Sequence, residues 1–522
     1  MAVETSDIPD FKKEFSRNLF SNSLLFFINI LIGLLIVPFY IHALGLAAYG
    51  IIPLATSFTG YVMLVLVSLN GAIARFLTVR IQRSDLTGAT TIFNTSLFAI
   101  IAIIMISAPV VVAIAWVIPD FFNITAIEKN NVFFLFTLIF FSAFIDALQS
   151  PFSAVMYSFN KIHYSSYIAI FRTVTSTGLI IILFLTSTPS VSYVGLAYFV
   201  AAVVSLLLTI TLSRKVYNKI HISFNYFSKD QFYEIITLTK WILVDQVGIL
   251  LLLQLSLIMV NKEFGTAAGG EFAMVLIFFN LIWAITGLII SVLSPIYYTY
   301  YARGLFSSMH NLSLISVKCV GLVMALPISL ICIFSPQLLT IWVGESFAHL
   351  SYLIWILLLP LTMIVAFRPL IISYVSFNKV RIPAIFTIIA GIFNLILALF
   401  LTVVFGLGVY GIALAFMLAL SLRGVVFVPW YAAKVQGVPS VVFYKSVVPS
   451  ILAYLVLIII GLSIVSIFVI PASFVYIAII SAVISLIYFI IIKSFILTNP
   501  ERDLIRSVLP SGISTLLPRW FI

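Results

Sequence analysis

Charge is scarce in this chain: Asp, Glu, Lys and Arg make up 8% of its 522 residues, against about 25% in soluble domains. That shortage excludes an ordinary water-soluble globular fold. Acids are the scarcer sign, 16 against 27 basic residues. The two cysteines, Cys319 and Cys332, fall in one apolar run, which excludes a disulfide framework and a cysteine-rich metal site. No glycine-rich loop ends in Gly-Lys, so the phosphate-cradling motif of nucleotide hydrolysis is missing. No basic domain stands apart from the apolar runs to take up nucleic acid.

What is abundant is apolar sequence, with 63% hydrophobic residues and a mean hydropathy of +1.25. A helix needs about 20 mostly apolar residues to cross the hydrocarbon core, and the chain offers about 14 such runs between positions 17 and 495. They are apolar all round, whereas barrel strands are short and alternating. The fold class expected is an all-α polytopic membrane protein. With the N-terminus inside, 20 basic residues fall on inner loops, tails and helix ends, while Lys129 and Lys262 alone fall outside. Short loops rich in Lys and Arg stay in the cytoplasm, so both termini are expected there and the chain in the plasma membrane as a multi-pass protein. The net charge of +11 is then topology and attraction to anionic inner-leaflet lipid. The first residues include Glu4, Asp7, Asp10 and Glu14, which reads as an interfacial segment and not as a cleavable signal.

The chain is also written twice. "PFSAVMYSFNK" from Pro151 returns as "PLIISYVSFNK" from Pro369, 218 residues on; "GLAAYG" from Gly45 returns as "GTAAGG" from Gly265, 220 on; "VGLAYF" with Gly195 returns as "YGIALA" with Gly411, 216 on. An even number of spans per copy makes the repeats parallel, related by an axis along the membrane normal, with a cleft between them. The plan expected is an N-terminal interfacial segment (1–16), a six-helix lobe (17–215), a cytoplasmic linker (216–232), a second six-helix lobe (233–435), two appended helices (446–495) and a cytoplasmic tail (496–522).

The opening "NLFSNSLLFFINILIGLLIVPFYIHALGLAAYGI", with its Asn-Ser start, mid-helix Pro38 and Leu-Gly-x-x-x-Tyr-Gly turn, resembles the Wzx-type polysaccharide repeat-unit flippases of the multidrug/oligosaccharidyl-lipid/polysaccharide (MOP) exporter superfamily. The resemblance implies a V-shaped, MATE-like transporter with no enzymatic activity. Its implied cargo is an anionic polyprenyl-diphosphate-linked oligosaccharide moved from the inner to the outer leaflet. Glycan polymerases and glycosyltransferases of the same pathway are the implied partners. A multidrug or cation antiporter and a lipid II-type flippase of the same superfamily stay open as alternatives. A membrane glycan polymerase or ligase is the weakest, because the longest outer connections, near Pro119 to Asn131 and Pro336 to Leu350, are short and carry few reactive groups.

Five basic residues lie inside the runs: Arg172, Lys240, Lys318, Arg368 and Arg423. Each is six to nine residues from an inner helix end, so roughly 9–14 Å deep at 1.5 Å per residue. Charges at that depth face a cavity or a partner, or snorkel to the interface. Facing the cleft, Arg172, Arg368, Lys240 and Arg423, with Arg75 at the inner edge, would form a cationic ring for a diphosphate, to which arginine's planar fork is suited. Snorkelling is the competing reading. Asp146 and Asp245 are the deep acids and the candidates for coupling to a proton or sodium gradient; no bound cofactor or metal is expected. Asp146 and Arg172 lie fifteen before and eleven after Lys161, so antiparallel helices would also let them pair. Asn18, Asn22 and Asn29 share one helical face, and with Tyr61 they would line the cleft for sugar hydroxyls or glue helices together.

Overall fold

The computed structural model describes residues 11–125, 127–467 and 471–492. Residues 1–10 of the expected interfacial segment (1–16) and the tail from 496 lie outside the described residues, and residues 11–16 belong to the first helix. Among the described residues every regular element is helical, and 12 helices are long and apolar enough to cross a membrane. This is a multi-pass membrane protein. The difference from the runs counted in sequence lies in Leu243–Ala302, where two of those runs follow one another across the non-helical Gly265, and in the shorter apolar helix Leu46–Gly60.

The chain divides into two compact units, Met1–Ala273 and Met274–Ile522. Unit one holds α1 (Phe11–Leu44), α2 (Leu46–Gln82), α3 (Leu86–Phe121), α4 (Lys129–Leu148), α5 (Ser150–Ser158), α6 (Ile162–Thr186), α7 (Val191–Val216), α8 (Lys229–Leu253) and the start of α9 (Leu255–Ala302). Unit two holds the rest of α9, then α10 (Phe306–Ile333), α11 (Ser335–Val343), α12 (Ser351–Leu358), α13 (Leu361–Phe367), α14 (Leu370–Ser376), α15 (Arg381–Val403), α16 (Gly408–Ser421), α17 (Val428–Gln436), α18 (Val441–Ile467) and α19 (Phe474–Ile491). The apolar run read as 233–261 in sequence is broken once more at Gln254, and the turn expected after it falls at the non-helical Gly265 inside α9.

Several breaks follow from proline, which removes a backbone donor and disfavours helical φ/ψ in the residue before it. The run 132–157 breaks at Gln149, just before Pro151; the run 350–376 breaks before Pro360 and again at Arg368, before Pro369. Pro151 and Pro369 are repeat equivalents, so each copy carries the same interrupted helix.

The repeat is legible in the backbone. Gly45 and Gly265 take nearly identical conformations, φ 83°, ψ 163° and φ 84°, ψ 172°, a region that belongs almost wholly to glycine. Both SFNK turns place asparagine in the left-handed region, Asn160 at φ 58° and Asn378 at φ 55°. Each closes with the same bond five residues back, Lys161 N–H to the Met156 carbonyl and Lys379 N–H to the Tyr374 carbonyl, both 2.9 Å. That is the helix-ending motif with a left-handed residue at its end. A third pair of turns, at Ser84 and Gly304, closes likewise through Asp85 N–H to Arg80 O and Leu305 N–H to Tyr300 O, both 2.9 Å.

At the first of these turns Asp85 caps α3. It accepts from Gly88 N–H and from Arg80 Nη1, each at 2.8 Å, and chiefly the backbone bond holds its carboxyl below the usual range. A depressed carboxyl favours the folded turn above its unfolded pKa, and the contribution is lost as pH falls through the folded value.

Within unit one the segment after α7 is tied down by α3. The buried Asn94 side chain donates to the His221 carbonyl at 2.8 Å and accepts from Ser223 N–H at 2.9 Å, while Thr95 accepts from Ser228 N–H at 3.0 Å. In unit two the last helices dock on α10: Ser450 donates to the Lys318 carbonyl at 3.1 Å and Tyr488 to the Leu322 carbonyl at 2.8 Å. Between α18 and α19 lies an apolar groove of about 540 Å³, lined by residues such as Leu452, Val456, Ile480 and Ile487, with no charged side chain.

Candidate functional site

The asparagine stripe of α1 meets a matching polar stripe on α6. Asn18 is buried, donates through Nδ2 to the Asn160 carbonyl at 2.9 Å, and accepts the His163 backbone N–H at 2.8 Å. It therefore caps α6 from another helix, satisfying a donor that the first turn leaves unpaired. Ser166 donates to Asn22 Oδ1 at 2.7 Å and Thr173 to Asn29 Oδ1 at 3.2 Å. These contacts join the two helices, and the amide hydrogens of the exposed Asn22 and Asn29 stay available. Because its loss strands a buried backbone donor, Asn18→Ala is expected to lower stability by about 1–3 kcal/mol. Asn22→Ala is expected to cost under about 1 kcal/mol, the usual range for interhelical bonds in membranes. Thermal midpoints in detergent check both.

Asp146 and Arg172 form an ion pair, Oδ2 to Nη2 at 2.7 Å. Gln149, at the break between α4 and α5, extends it inward. Its Nε2 donates to Asp146 Oδ1 at 3.1 Å and to Ser205 at 3.0 Å, and its Oε1 accepts from Thr209 at 2.9 Å. The carboxylate is thus anchored against α7, with its side chain 13% exposed against 31% for Arg172.

Unit two is built differently. From residue 274 to 492 the only acid is Glu345, against Arg303, Lys318, Arg368, Lys379, Arg381, Arg423, Lys434 and Lys445. Glu345 opens the 3₁₀ turn before α12, and the stretch from Ser351 to Arg368 alone adds roughly 25 Å of helical rise. Arg368 instead uses uncharged partners. Nη1 donates to the Trp283 carbonyl at 2.9 Å, and the guanidinium lies 3.9 Å from the Trp283 ring centre, a cation–π contact. Trp283 is itself stacked on Phe279, which packs on Phe416. Arg423, whose charge acts on Arg368, donates through Nε to Thr387 at 2.9 Å. It sits in a π-helical turn, Leu422–Phe427, between α16 and α17; such wide turns recur at functional sites. Two guanidinium groups thus influence one another inside a unit whose membrane helices supply no carboxylate.

The other expected residues are placed as follows. Asp245 is half-buried on α8 and engaged with a partner, so it is not an isolated carboxylate. Arg75 and Tyr61 lie on α2 and Lys240 on α8, with side chains outside the described residues. The structure brings Asp146 to Arg172 and Arg423 near Arg368. Trp283, Gln149, Thr387 and the Arg423 turn had no part in the sequence reading. Gln149 was detectable as i+3 from Asp146 beside a proline; Trp283, 85 residues from Arg368, was not.

No protein-family model matches this chain. It is 27% identical over 438 residues to an uncharacterized membrane protein, EpsK, of Bacillus subtilis (strain 168), covering 83% of this chain and 86% of that one. Its fold is similar to that of the lipid II flippase MurJ in an inward closed conformation, with a TM-score of 0.65 and 16% identity over 92% of this chain and 99% of MurJ. It is also similar to an inward-facing multidrug resistance MATE family transporter of the MOP superfamily, with a TM-score of 0.57 and 15% identity over 79% and 94% of the two chains. The chain has the fold of MOP-superfamily transporters and flippases.

Proposed function

We propose that this protein is a flippase that carries a polyprenyl-diphosphate-linked oligosaccharide from the cytoplasmic to the outer leaflet by ion-coupled alternating access. The observation that carries the reading is Arg368, a guanidinium held by the Trp283 carbonyl and ring in a unit whose membrane helices carry basic residues and no carboxylate. A buried charge is costly unless paired, so a guanidinium kept on a carbonyl and a ring is prepared for an anion from outside the protein. A diphosphate supplies it, and the arginine fork grips phosphate oxygens on two points. A cation exporter would want carboxylates where these arginines stand. A lipid II-type cargo presents the same diphosphate, and the likeness to MurJ over 92% of the chain favours it as a second reading.

The remaining roles belong to the same proposal. Arg172, Lys240 and Arg75 complete the cationic path, Asn22, Asn29 and Tyr61 meet sugar hydroxyls, and Asp245 and Asp146 couple movement to a proton or sodium gradient. Both termini face the cytoplasm across the plasma membrane, where pathway glycosyltransferases and a glycan polymerase supply and consume the cargo. Proteoliposomes holding the purified protein test the reading. Under a proton or sodium gradient they should move a labelled polyprenyl-diphosphate oligosaccharide across the bilayer and leave a cationic dye in place. Expulsion of the dye with no lipid movement refutes it.

A further inference from the structure

We propose that Asp146 is the counter-ion that an incoming phosphate displaces from Arg172, so that this aspartate sets how strongly unit one binds an anion. The inference rests on the anionic-cargo reading above and adds a specificity-determining residue to it.

The two repeats interrupt the same helix before equivalent prolines, Pro151 and Pro369, and put opposite charges there. Unit one carries Asp146 about one turn before its break, and unit two carries Arg368 at its break. The pairing differs accordingly. Arg368 has a carbonyl and an aromatic ring, whereas Arg172 has a carboxylate at 2.7 Å.

The ends of the Asp146–Arg172 pair are not equivalent. Gln149 fixes the carboxylate from behind, at 3.1 Å, and is itself held by Ser205 and Thr209. The guanidinium is the more exposed end and meets Asp146 through Nη2, and with five N–H donors it has capacity for a second acceptor. A phosphate brings more negative charge and more acceptor oxygens than one carboxylate. At this separation the Asp146 charge opposes any second anion on the same guanidinium. Removing that charge, with the side chain's shape kept, should therefore strengthen anion binding. A purely structural pair predicts the reverse, because the variant would lose the anchor that orders Arg172.

The test uses the full chain in lipid nanodiscs, with inorganic diphosphate as the probe and calorimetry as the readout. Asp146→Asn is expected to bind diphosphate about tenfold more tightly than wild type. Adding Arg172→Gln should return affinity to the wild-type level; neutralising both partners at similar shape is tolerated better than stranding one. Arg368→Met in an otherwise wild-type chain should weaken the baseline binding. Should Asp146→Asn fail to insert, Asp146→Ser makes the same charge change. If Asp146→Asn binds no better than wild type, or its gain survives Arg172→Gln, the exchange is refuted. If in that case Arg368→Met still weakens binding, the anionic-cargo reading stands without it. If neither wild type nor any variant binds diphosphate, both fail together.

Discussion

Arg368→Met is expected to cut transbilayer movement of the lipid-linked oligosaccharide by about 100-fold, or roughly 2.7 kcal/mol, within the range for truncating one partner of a buried charge pair. The same change is expected to leave the thermal midpoint unchanged or to raise it. Met fills a similar volume against Trp283, and it removes a buried charge on which the Arg423 charge also acts, in membrane helices that carry no carboxylate. What is lost in return is a charge-assisted hydrogen bond of about 1.5–3 kcal/mol and a cation–π contact of about 1 kcal/mol, offset by the several kcal/mol no longer needed to desolvate a guanidinium. A residue whose removal spares or helps stability while abolishing function is one retained for function. A fall in midpoint parallel to the fall in transport would make Arg368 a structural residue instead. Flipping assays and melting curves on the same preparation separate the two.

Gly50→Ala is expected to be the most damaging small substitution, costing more than about 3 kcal/mol, the upper end of overpacking effects. A Cβ there would overlap the Thr266 carbonyl oxygen and stand 2.8 Å from Gly270 N, and both are backbone atoms. No rotamer change relieves such a contact; α2 and the start of α9 would have to separate. Gly50 and Gly270 are the closing glycines of the two repeat-related turns, so equivalent positions of the duplicated sequence meet face to face. Gly33→Ala is the control. Nothing lies within 4 Å of its added carbon, and in a helix interior the change should stabilise by up to about 1 kcal/mol. Thermal midpoints that fall equally for both variants would contradict the close approach.

The local chemistry of this fold was readable from the chain, and the long-range chemistry was not. Pro151 and Pro369 mark helix breaks because proline acts on its own turn. The SFNK turns, Gly45 and Gly265 repeat because a backbone conformation is encoded in a few adjacent residues. Asp146 and Arg172 could be matched because one tight turn folds their helices antiparallel about Lys161. The α1 stripe was visible, and its partners on α6, at His163, Ser166 and Thr173, have the spacing that would have announced them. Trp283 under Arg368 depends on how non-adjacent helices pack, which no local pattern encodes, whereas Thr387 and Arg423 lie on consecutive helices that fold back at residues 404–407 and could have been matched as Asp146 and Arg172 were. The π-helical turn that carries Arg423 is a local feature, yet an apolar run with one arginine looks the same with or without it. Gln254 ends α8 without a proline or glycine to signal it.

The central claim is that the cargo is recognised by its negative charge. The most direct measurement compares two polyprenyl-linked oligosaccharides with the same sugar and chain, one joined through diphosphate and one through an uncharged linkage, in the same proteoliposomes. Rapid movement of the diphosphate form with little movement of the neutral one, and loss of that preference in Arg368→Met, is the predicted result. Equal movement of both forms by the wild-type protein would contradict it.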